Sequence, residues 1–183
     1  MPELPYDEEI LDLVDEHNQV VGTVTHEEIF DHANLRGNYL RAVNAFLINS
    51  QGKLWIPRRL PEKIIVPNGL DYSVGEHVMS GESNDDAIVR GFAEEVNMTV
   101  RLDELTLFSE TDPADAGIPY FCANYYYLTD IDPDYNRDDF SGAEWLTPQE
   151  LIDRLKQGDK GKQSLIRHAQ DLLDYQAQSH SHK

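Results

Sequence analysis

Residues 84 to 98 place their apolar side chains at the spacing of an α-helix, and no other segment limits the possible folds so strongly. At 3.6 residues per turn, one side of this helix carries apolar residues. They are Ile88, Val89, Phe92 and Val96. The other side carries a second set: Ala87, Arg90, Gly91, Glu94, Glu95 and Met98. The pattern predicts a helix that packs on one side and gathers carboxylates on the other.

The flanking residues fit such a helix. A strand-like stretch, LDYSV, precedes the loop GEHVMSGE, which ends on Glu82. Ser83 is placed to cap the helix start, with Asp86 three residues later. Arg90 and Glu94 are four residues apart and can pair along the helix, which leaves Glu95 to point elsewhere. Acidic residues on an amphipathic helix usually form only its solvated face. Here the order strand, loop, acid, capped helix and paired acids favours a site for a hard cation such as Mg²⁺.

The segment resembles the Nudix box, whose family pattern is G-x5-E-x7-R-E-U-x-E-E-x-G-U with U aliphatic. Its matching positions are Glu82, Arg90, Phe92, Glu94 and Glu95. Three positions depart from the pattern. Glu76 replaces the first Gly, although Gly75 is adjacent, and Asn97 replaces the last Gly at a helix end where Asn tolerates a left-handed conformation. Gly91 replaces the Glu after the Arg, which in the family is normally a metal ligand.

Gly91 has three explanations that the sequence leaves open. A glycine inside a helix costs ~1 kcal/mol relative to alanine, so its presence needs a reason. The metal site has decayed, or a ligand or backbone approaches the helix closely at this point. In the third explanation, the carboxylate of Glu76 enters the vacated volume. Decay predicts that Gly91→Glu raises activity, whereas compensation predicts that Glu76→Ala abolishes it. From Gly91 alone we also expect a slow enzyme that needs Mg²⁺ or Mn²⁺ in the millimolar range.

The resemblance covers most of the chain and is closest to the isopentenyl-diphosphate isomerase-like branch of the superfamily. It implies an α/β fold, a Nudix-type α/β/α sandwich with a mixed sheet and a small N-terminal hairpin. We expect strands near residues 10–15, 20–24, 41–49, 53–58, 70–75, 100–110, 119–129 and 143–146. The predicted organisation is a single domain, 1–183, with a hairpin extension at 1–35, a helical piece after the hairpin, a last helix at 163–178 and a tail at 179–183. Thr147 and Pro148 are placed to begin another helix.

The function implied by the resemblance is hydrolysis of a nucleoside diphosphate linked to another moiety, with Mg²⁺ or Mn²⁺ as cofactor. The implied catalytic residues are Glu82, Arg90, Glu94 and Asp139. The implied metal ligands are Glu95, Glu94, Gly75 through its carbonyl, and Glu76. The general base is left open among Glu82, Glu76 and Asp139. A basic cluster before the box is expected to bind the substrate: Arg58, Arg59 and Lys63.

Two other functions are considered. An isomerase of the resembled branch carries a catalytic Cys at the position of Gly75 and an acid on the strand predicted over residues 118–124, and this chain has neither. His77 matches the isomerase loop but does not supply that chemistry alone. The one cysteine, Cys122, lies in an apolar run and is expected to be a buried structural thiol. The second alternative is a Nudix-fold diphosphate- or nucleotide-binding module that has lost catalysis, and Gly91 is again its supporting feature.

The composition limits the partners. A net charge of −19 argues against nucleic acid or an anionic membrane, because their phosphates would be repelled, and favours a small-molecule diphosphate. The acidic start lacks the apolar stretch of a signal peptide or membrane span, and a single cysteine excludes an intrachain disulfide. A cytoplasmic location is the resulting expectation. The sequence leaves the oligomeric state open.

Overall fold

A computed structural model describes residues 9–180 of the chain. It begins with the predicted hairpin, in which β1 (Ile10–Val14) pairs antiparallel with β2 (Val20–Thr25). The Asp15 carboxylate accepts hydrogen bonds from the His17 and Gln19 N–H groups, both at 2.9 Å, and so closes the turn. Two short 3-10 helices, Glu28–Phe30 and His32–Leu35, occupy the helical piece expected after the hairpin.

Six strands form the larger sheet: β3 (Leu40–Ile48), β4 (Leu54–Arg59), β5 (Val74–His77), β6 (Leu105–Thr111), β7 (Tyr120–Leu128) and β8 (Phe140–Leu146). Their order is β6-β7-β3-β4-β8, and β5 also pairs with β3. β3 and β7 run parallel while the remaining pairs are antiparallel, so the sheet is mixed as predicted. Residues 42–45 of β3 pair with β5, and Ile48 pairs with β4. The sheet therefore opens beside β3, and the β4–β5 loop emerges there.

The helices cover both faces of this sheet: α1 (Asn84–Val96), α2 (Pro113–Ala116), α3 (Pro148–Lys156) and α4 (Leu165–His180). Ile88, Phe92 and Val96 of α1 join one buried cluster, whereas Leu151 of α3 and Leu172 of α4 join another. Each of these three helices therefore buries its apolar side against the sheet, and the α/β/α sandwich is confirmed.

The predicted helix ends are confirmed in detail. The Ser83 Oγ accepts a hydrogen bond from the Asp86 N–H at 3.1 Å, and Asn97 ends α1 with a φ of 51°. The Thr147 side chain caps α3, and Pro148 takes its first position. These devices depend on neighbouring residues only, and the sequence therefore shows them directly.

Three boundaries differ from the sequence-based prediction. The strand expected over 70–75 is Val74–His77, because Leu70 makes only isolated bridges, to Arg58 and Gly161. The strand expected over 100–110 begins at Leu105, after a 3-10 turn at Leu102–Glu104. Helix α4 continues to His180, two residues into the segment assigned to the tail. Residues 1–8 and 181–183, which hold the acidic start and the rest of the tail, lie outside the described residues.

No helix within residues 9–180 combines the length and the apolar character needed to cross a bilayer.

Candidate active site

Arg90 gathers three carboxylates at the edge of α1. Its Nε and Nη2 atoms donate to both oxygens of Glu82, at 2.9 and 3.1 Å. Its Nη1 atom donates to Glu76 and to Glu94, each at 3.1 Å, and Nη2 also reaches the His77 carbonyl oxygen at 2.9 Å. The expected pairing of Arg90 with Glu94 is therefore present. A planar guanidinium with several donors can hold such a group in one arrangement, which a lysine cannot.

Both carboxylate oxygens of Glu82 accept hydrogen bonds within this arrangement. One of its oxygens accepts from Arg90 alone, and the other accepts from Arg90 and from the Met79 N–H at 2.9 Å. Its side chain is only 13 % exposed. These contacts suit a residue that orients Arg90 and leave little freedom to accept a proton from water.

Gly91 lies against the side chain of Glu76. A Cβ atom built on Gly91 would stand 2.6 Å from Cγ of Glu76 and 2.7 Å from Cγ1 of Val74. Both distances are shorter than any normal carbon–carbon contact. Helix α1 thus approaches strand β5 closely at this point, and Glu76 fills the space that a side chain on Gly91 would need. The geometry supports the close-approach and compensation explanations for this glycine.

Glu95 and Glu76 form a buried acidic pair. One oxygen of Glu95 accepts a hydrogen bond from the Gly75 N–H at 2.9 Å. Burial raises the pKa of the Glu95 carboxyl well above its ordinary value, and the nearby charges of Glu76 and Asp71 add to this effect. Burial also raises the pKa of Glu76, to about 7, against the opposing pull of Arg90. Both carboxyls therefore resist ionisation unless further positive charge is brought to them.

The donor set at this place suits a hard divalent cation. Glu76, Glu94 and Glu95 offer carboxylate oxygens, which Mg²⁺ prefers, and their bonds to Arg90 and to the Gly75 N–H engage one oxygen of each. Within residues 9–180, no three His, Cys, Asp or Glu side chains already stand in a metal-binding arrangement. Arg90 and the Gly75 N–H hold the oxygens in their present positions, so binding a cation requires side-chain rotation.

These carboxylates face a cavity of about 260 Å³, which we call the substrate cavity. Seven residues singled out from the sequence line it: Arg59, Lys63, Gly75, Glu76, Glu94, Glu95 and Asp139. Lys63 forms an ion pair with Asp139 at its wall. Glu82 and Arg90 support the cavity from behind and do not line it. The structure thus brings acids and cations from distant parts of the chain to one place.

Arg58 is not brought to the cavity with the others. Its guanidinium makes two hydrogen bonds with Asp159, at 2.9 and 3.1 Å, and a third with the Asn68 carbonyl oxygen at 2.7 Å. The pairing of β4 with β8 shifts register between Arg58 and Arg59, so the two neighbouring side chains have different surroundings. Arg58 holds the segment after α3 through Asp159. Of the two arginines, only Arg59 lines the cavity.

Several cavity residues were missed by the sequence-based prediction of the site: Glu9, His26, Phe30, Glu62, Ile64, Ile65, His77 and Lys162. The first three come from the N-terminal hairpin and the turn after it, which therefore form one wall of the site. Lys162 carried a faint signal, since the stretch Lys160-Gly161-Lys162 is basic in a strongly acidic chain. His77 matches the isomerase loop but was not predicted to belong to this site, and the remaining residues carried no signal that distinguishes them from ordinary surface residues.

A second cavity of about 270 Å³ adjoins the first and shares part of its lining. The shared residues are Ile65, Gly75, Glu76, His77 and Lys162. His77 is held neutral, because burial lowers the pKa of its imidazole well below the usual value. Cys122, also in the lining, is a buried thiol as expected, and burial raises its pKa to about 11. Neither group is poised for acid–base or nucleophilic chemistry near neutral pH.

Comparison with known proteins identifies the family of the chain. The model of the NUDIX domain matches residues 38–169. An uncharacterised Nudix hydrolase of Nostoc sp. is 41 % identical over 161 residues, covering 88 % of this chain and 94 % of that protein. The crystal structure of DR0079 from Deinococcus radiodurans superposes with a TM-score of 0.79 at 40 % identity, covering 88 % of this chain and 98 % of the other.

The resemblance to the isomerase branch also has a counterpart among the relatives. An isopentenyl-diphosphate Δ-isomerase of Kocuria rhizophila is 28 % identical over 145 residues, which cover 76 % of this chain and 78 % of that enzyme. The family match, the two more similar relatives and the box residues around Arg90 all agree: the chain belongs to the Nudix family.

Proposed function

We propose that this protein is a divalent-metal-dependent pyrophosphohydrolase that cleaves a nucleoside diphosphate linked to another moiety. The observation that carries this proposal is the position of Glu76, whose side chain fills the space above Gly91 and lies beside Glu95. With Glu76 there, the site has the carboxylate that the box lacks at Gly91. Decay of the metal site is then not needed to explain the glycine.

In this proposal Glu95, Glu76 and Glu94 hold Mg²⁺ or Mn²⁺ together with the Gly75 carbonyl oxygen. The bound cation supplies charge neutralisation on the diphosphate and lowers the pKa of a water. Arg59 and Lys63 line the same cavity and bind phosphate oxygens that the acidic residues would otherwise repel. Arg90 and Glu82 orient the carboxylates.

In this proposal the general base is Asp139 or Glu76 and not Glu82. Asp139 lines the substrate cavity and Glu82 does not. Both oxygens of Glu82 are already bound, whereas Asp139 pairs with Lys63, a long side chain that the substrate's phosphates can draw away. A base must reach the attacking water within hydrogen-bond distance, and Asp139 and Glu76 are the two candidates that line the cavity.

Isomerase chemistry is disfavoured. Residues 118–124, the end of the α2–β7 loop and the start of β7, carry no acid, and Gly75 stands where the isomerases carry their cysteine. The Cys122 thiol is buried, with a raised pKa. This chain therefore lacks the residues that isomerase chemistry would need at these positions.

A panel assay tests the function. Nucleotides, nucleotide sugars and prenyl diphosphates are incubated with Mg²⁺, and the cleavage products are separated by chromatography and identified. We expect at least one nucleoside diphosphate derivative to be cleaved, and Glu95→Gln to reduce its turnover by about 100-fold or more. Glu16→Gln, on the exposed hairpin turn, is the matched control and should match the wild type. Binding of panel compounds without any turnover would instead identify a non-catalytic binding module.

The proposal includes a cytoplasmic location, a small-molecule diphosphate as the partner, no nucleic acid or membrane partner, and a single domain over residues 1–183. The acidity of the chain supports the choice of partner, because the substrate cavity is where Arg59, Lys63 and Lys162 offset that acidity. A single cooperative unfolding transition that coincides for different probes tests the one-domain assignment.

A further inference from the structure

We infer that Lys162 binds a phosphate oxygen of the substrate at the junction of the two cavities, and that Asp71 positions both Lys162 and Arg59 for phosphate binding. This inference rests on the proposed function and extends it to two residues outside the Nudix box.

Asp71 is a buried carboxylate shared by two cations. Its side chain is 4 % exposed, with one oxygen 2.6 Å from Nη1 of Arg59 and the other 3.1 Å from Nζ of Lys162. A single carboxylate neutralises one cation, so the three groups together keep a net positive charge. Asp71 is buried, whereas the side chains of Arg59 and Lys162 stay 14 % and 26 % exposed, so both cations remain accessible to an anion. The excess charge lies at the wall of the substrate cavity, where both cations are found.

The backbone around Lys162 is fixed by close packing. The Leu70 N–H donates to the Lys160 carbonyl oxygen at 2.8 Å, and the Lys162 N–H donates to the Leu70 carbonyl oxygen at 3.1 Å. Gly161 lies between them, and a Cβ on it would stand 2.5 Å from Cδ2 of Leu155. This segment therefore has little freedom to move, and the side chain of Lys162 starts from a defined point.

Lys162 reaches the acidic pair from this point. Its Nζ atom lies 3.5 Å from the place of a Cβ on Gly75, whose N–H binds Glu95. Lys162 also lines both cavities, as does its neighbour across the gap, Glu76. A diphosphate bound beside Glu76 and Glu95 would have one phosphate within reach of Nζ, and the second cavity would be open to the group attached to that phosphate.

The alternative is that Lys162 only neutralises Asp71. A double variant distinguishes the two roles, because they predict different ligand affinities for it. If Lys162 serves Asp71 alone, removing the carboxylate together with the lysine restores ligand binding. If Lys162 contacts the ligand, the double variant Asp71→Asn/Lys162→Met binds as weakly as Lys162→Met, or more weakly because Arg59 is released as well.

Titration calorimetry with methylenediphosphonate, which is not hydrolysed, and Mg²⁺ tests the inference on the full chain. We expect Lys162→Met to weaken binding by about 10- to 100-fold, the value of a charge-assisted hydrogen bond. Lys160→Met, an exposed lysine two residues away, is the matched control and should bind like the wild type. Lys162→Arg keeps the charge and should recover most of the affinity, which also guards against a fold defect in the methionine variant.

The role of Asp71 is tested by measuring KM and kcat separately. Asp71→Asn keeps the side-chain volume but releases both cations, so we expect KM for the substrate to rise by about tenfold while kcat changes less. A loss of folded enzyme alone would lower the apparent kcat and leave KM unchanged.

The results separate this inference from the function it rests on. Unchanged diphosphonate binding in Lys162→Met, or recovery in the double variant, overturns the role of Lys162 even if the wild type turns over the panel. Binding that depends on Lys162 in a wild type without any turnover supports Lys162 and overturns the hydrolase proposal.

Discussion

The side chain of Glu76 on β5 occupies the space that a side chain on Gly91 of α1 would need. A Cβ on Gly91 would stand 2.6 Å from Cγ of Glu76. In the family pattern these two positions hold Gly and Glu, and here they hold Glu and Gly. The exchange moves one carboxylate from the helix to the strand while keeping it next to Arg90, to which Glu76 is bound at 3.1 Å.

The exchange predicts that restoring the box glutamate alone does harm. In Gly91→Glu, the new side chain meets Glu76 and Val74, and overpacking of this kind costs about 1–3 kcal/mol. We expect a lower free energy of unfolding in urea and no gain in hydrolysis. An increase in turnover for this single variant would support decay of the metal site and contradict the compensation by Glu76.

The double variant Glu76→Gly/Gly91→Glu tests the exchange further, because it restores the family pattern at both positions. It removes the conflict with Glu76, leaving only that with Val74, and returns the carboxylate to the helix, so it should be more active than either single variant. The coupling energy from the double-mutant cycle should be favourable by about 0.5–3 kcal/mol, as for residues in contact. Additive effects in the cycle would show that the two positions act independently.

The sequence predicted the parts of this fold that depend on neighbouring residues. The helical period of α1, its Ser83 cap and the left-handed Asn97 are set within a few residues and were all confirmed. Strand alternation is equally local. The structure places Tyr125 and Tyr127 with one core cluster and Tyr126 with the other. The box spacing then identified the carboxylates around Arg90.

What the sequence did not predict depends on contacts between distant residues. Lys162 lies 91 residues after Asp71 and reaches it only because the segment after α3 pairs with Leu70. Glu9 and His26 reach the cavity because the hairpin folds over it. Arg58 and Arg59 looked equivalent as neighbours in a basic cluster, but the structure pairs Arg58 with Asp159 and Arg59 with Asp71, two partners that the sequence does not indicate.

Arg90 is predicted to be irreplaceable by lysine. Its five donors hold Glu82, Glu76 and Glu94 at once, and lysine lacks the planar fork that does so. We expect Arg90→Lys to lower the free energy of unfolding by about 3 kcal/mol, because buried carboxylates lose part of their partner. Hydrolysis should fall as well. Arg101→Lys, at an exposed pair with Asp103, is the control and should leave both quantities unchanged. If Arg90→Lys and Arg101→Lys are equally stable, Arg90 does not organise the carboxylates.

Cation binding is predicted to strengthen as the pH rises. Burial raises the pKa of Glu76 to about 7, so this carboxyl is largely protonated at slightly acidic pH and must lose its proton to bind a metal ion. The increase in Tm on adding Mg²⁺ should therefore be larger at about pH 8 than at about pH 6.

Without Mg²⁺, the stability of the protein is expected to change with pH in the opposite direction. A folded-state pKa above the unfolded value gives stability that is present at low pH and lost as the pH rises through about 7. Glu76→Gln should therefore be more stable than the wild type at about pH 8 without Mg²⁺, and should lose the pH dependence of the Mg²⁺ effect. A Tm increase that is the same at both pH values in the wild type would count against Glu76 as a ligand.

His168 is predicted to make the protein sensitive to acid. It is fully buried in α4, where its Nδ1 lies 2.7 Å from the Tyr72 hydroxyl and its Nε2 lies 3.0 Å from the Thr111 hydroxyl. Burial, with a smaller contribution from the charge of Arg167, lowers its pKa to about 4. Between about pH 6.5 and 4 the unfolded chain therefore binds a proton that the folded protein rejects, and stability falls as the pH falls through this window.

The effect of His168 can be isolated by comparison with a variant that does not titrate. The full difference between the two states is about 3 kcal/mol at the acidic end, from the size of the pKa shift. His168→Gln keeps hydrogen-bonding atoms for Tyr72 and Thr111 but cannot be protonated. We expect it to be less stable than the wild type at neutral pH and to approach the wild type as the pH drops, when free energies of unfolding in urea are compared. Parallel curves for the two proteins would mean that His168 does not titrate in this window, and the acid sensitivity would then come from other groups.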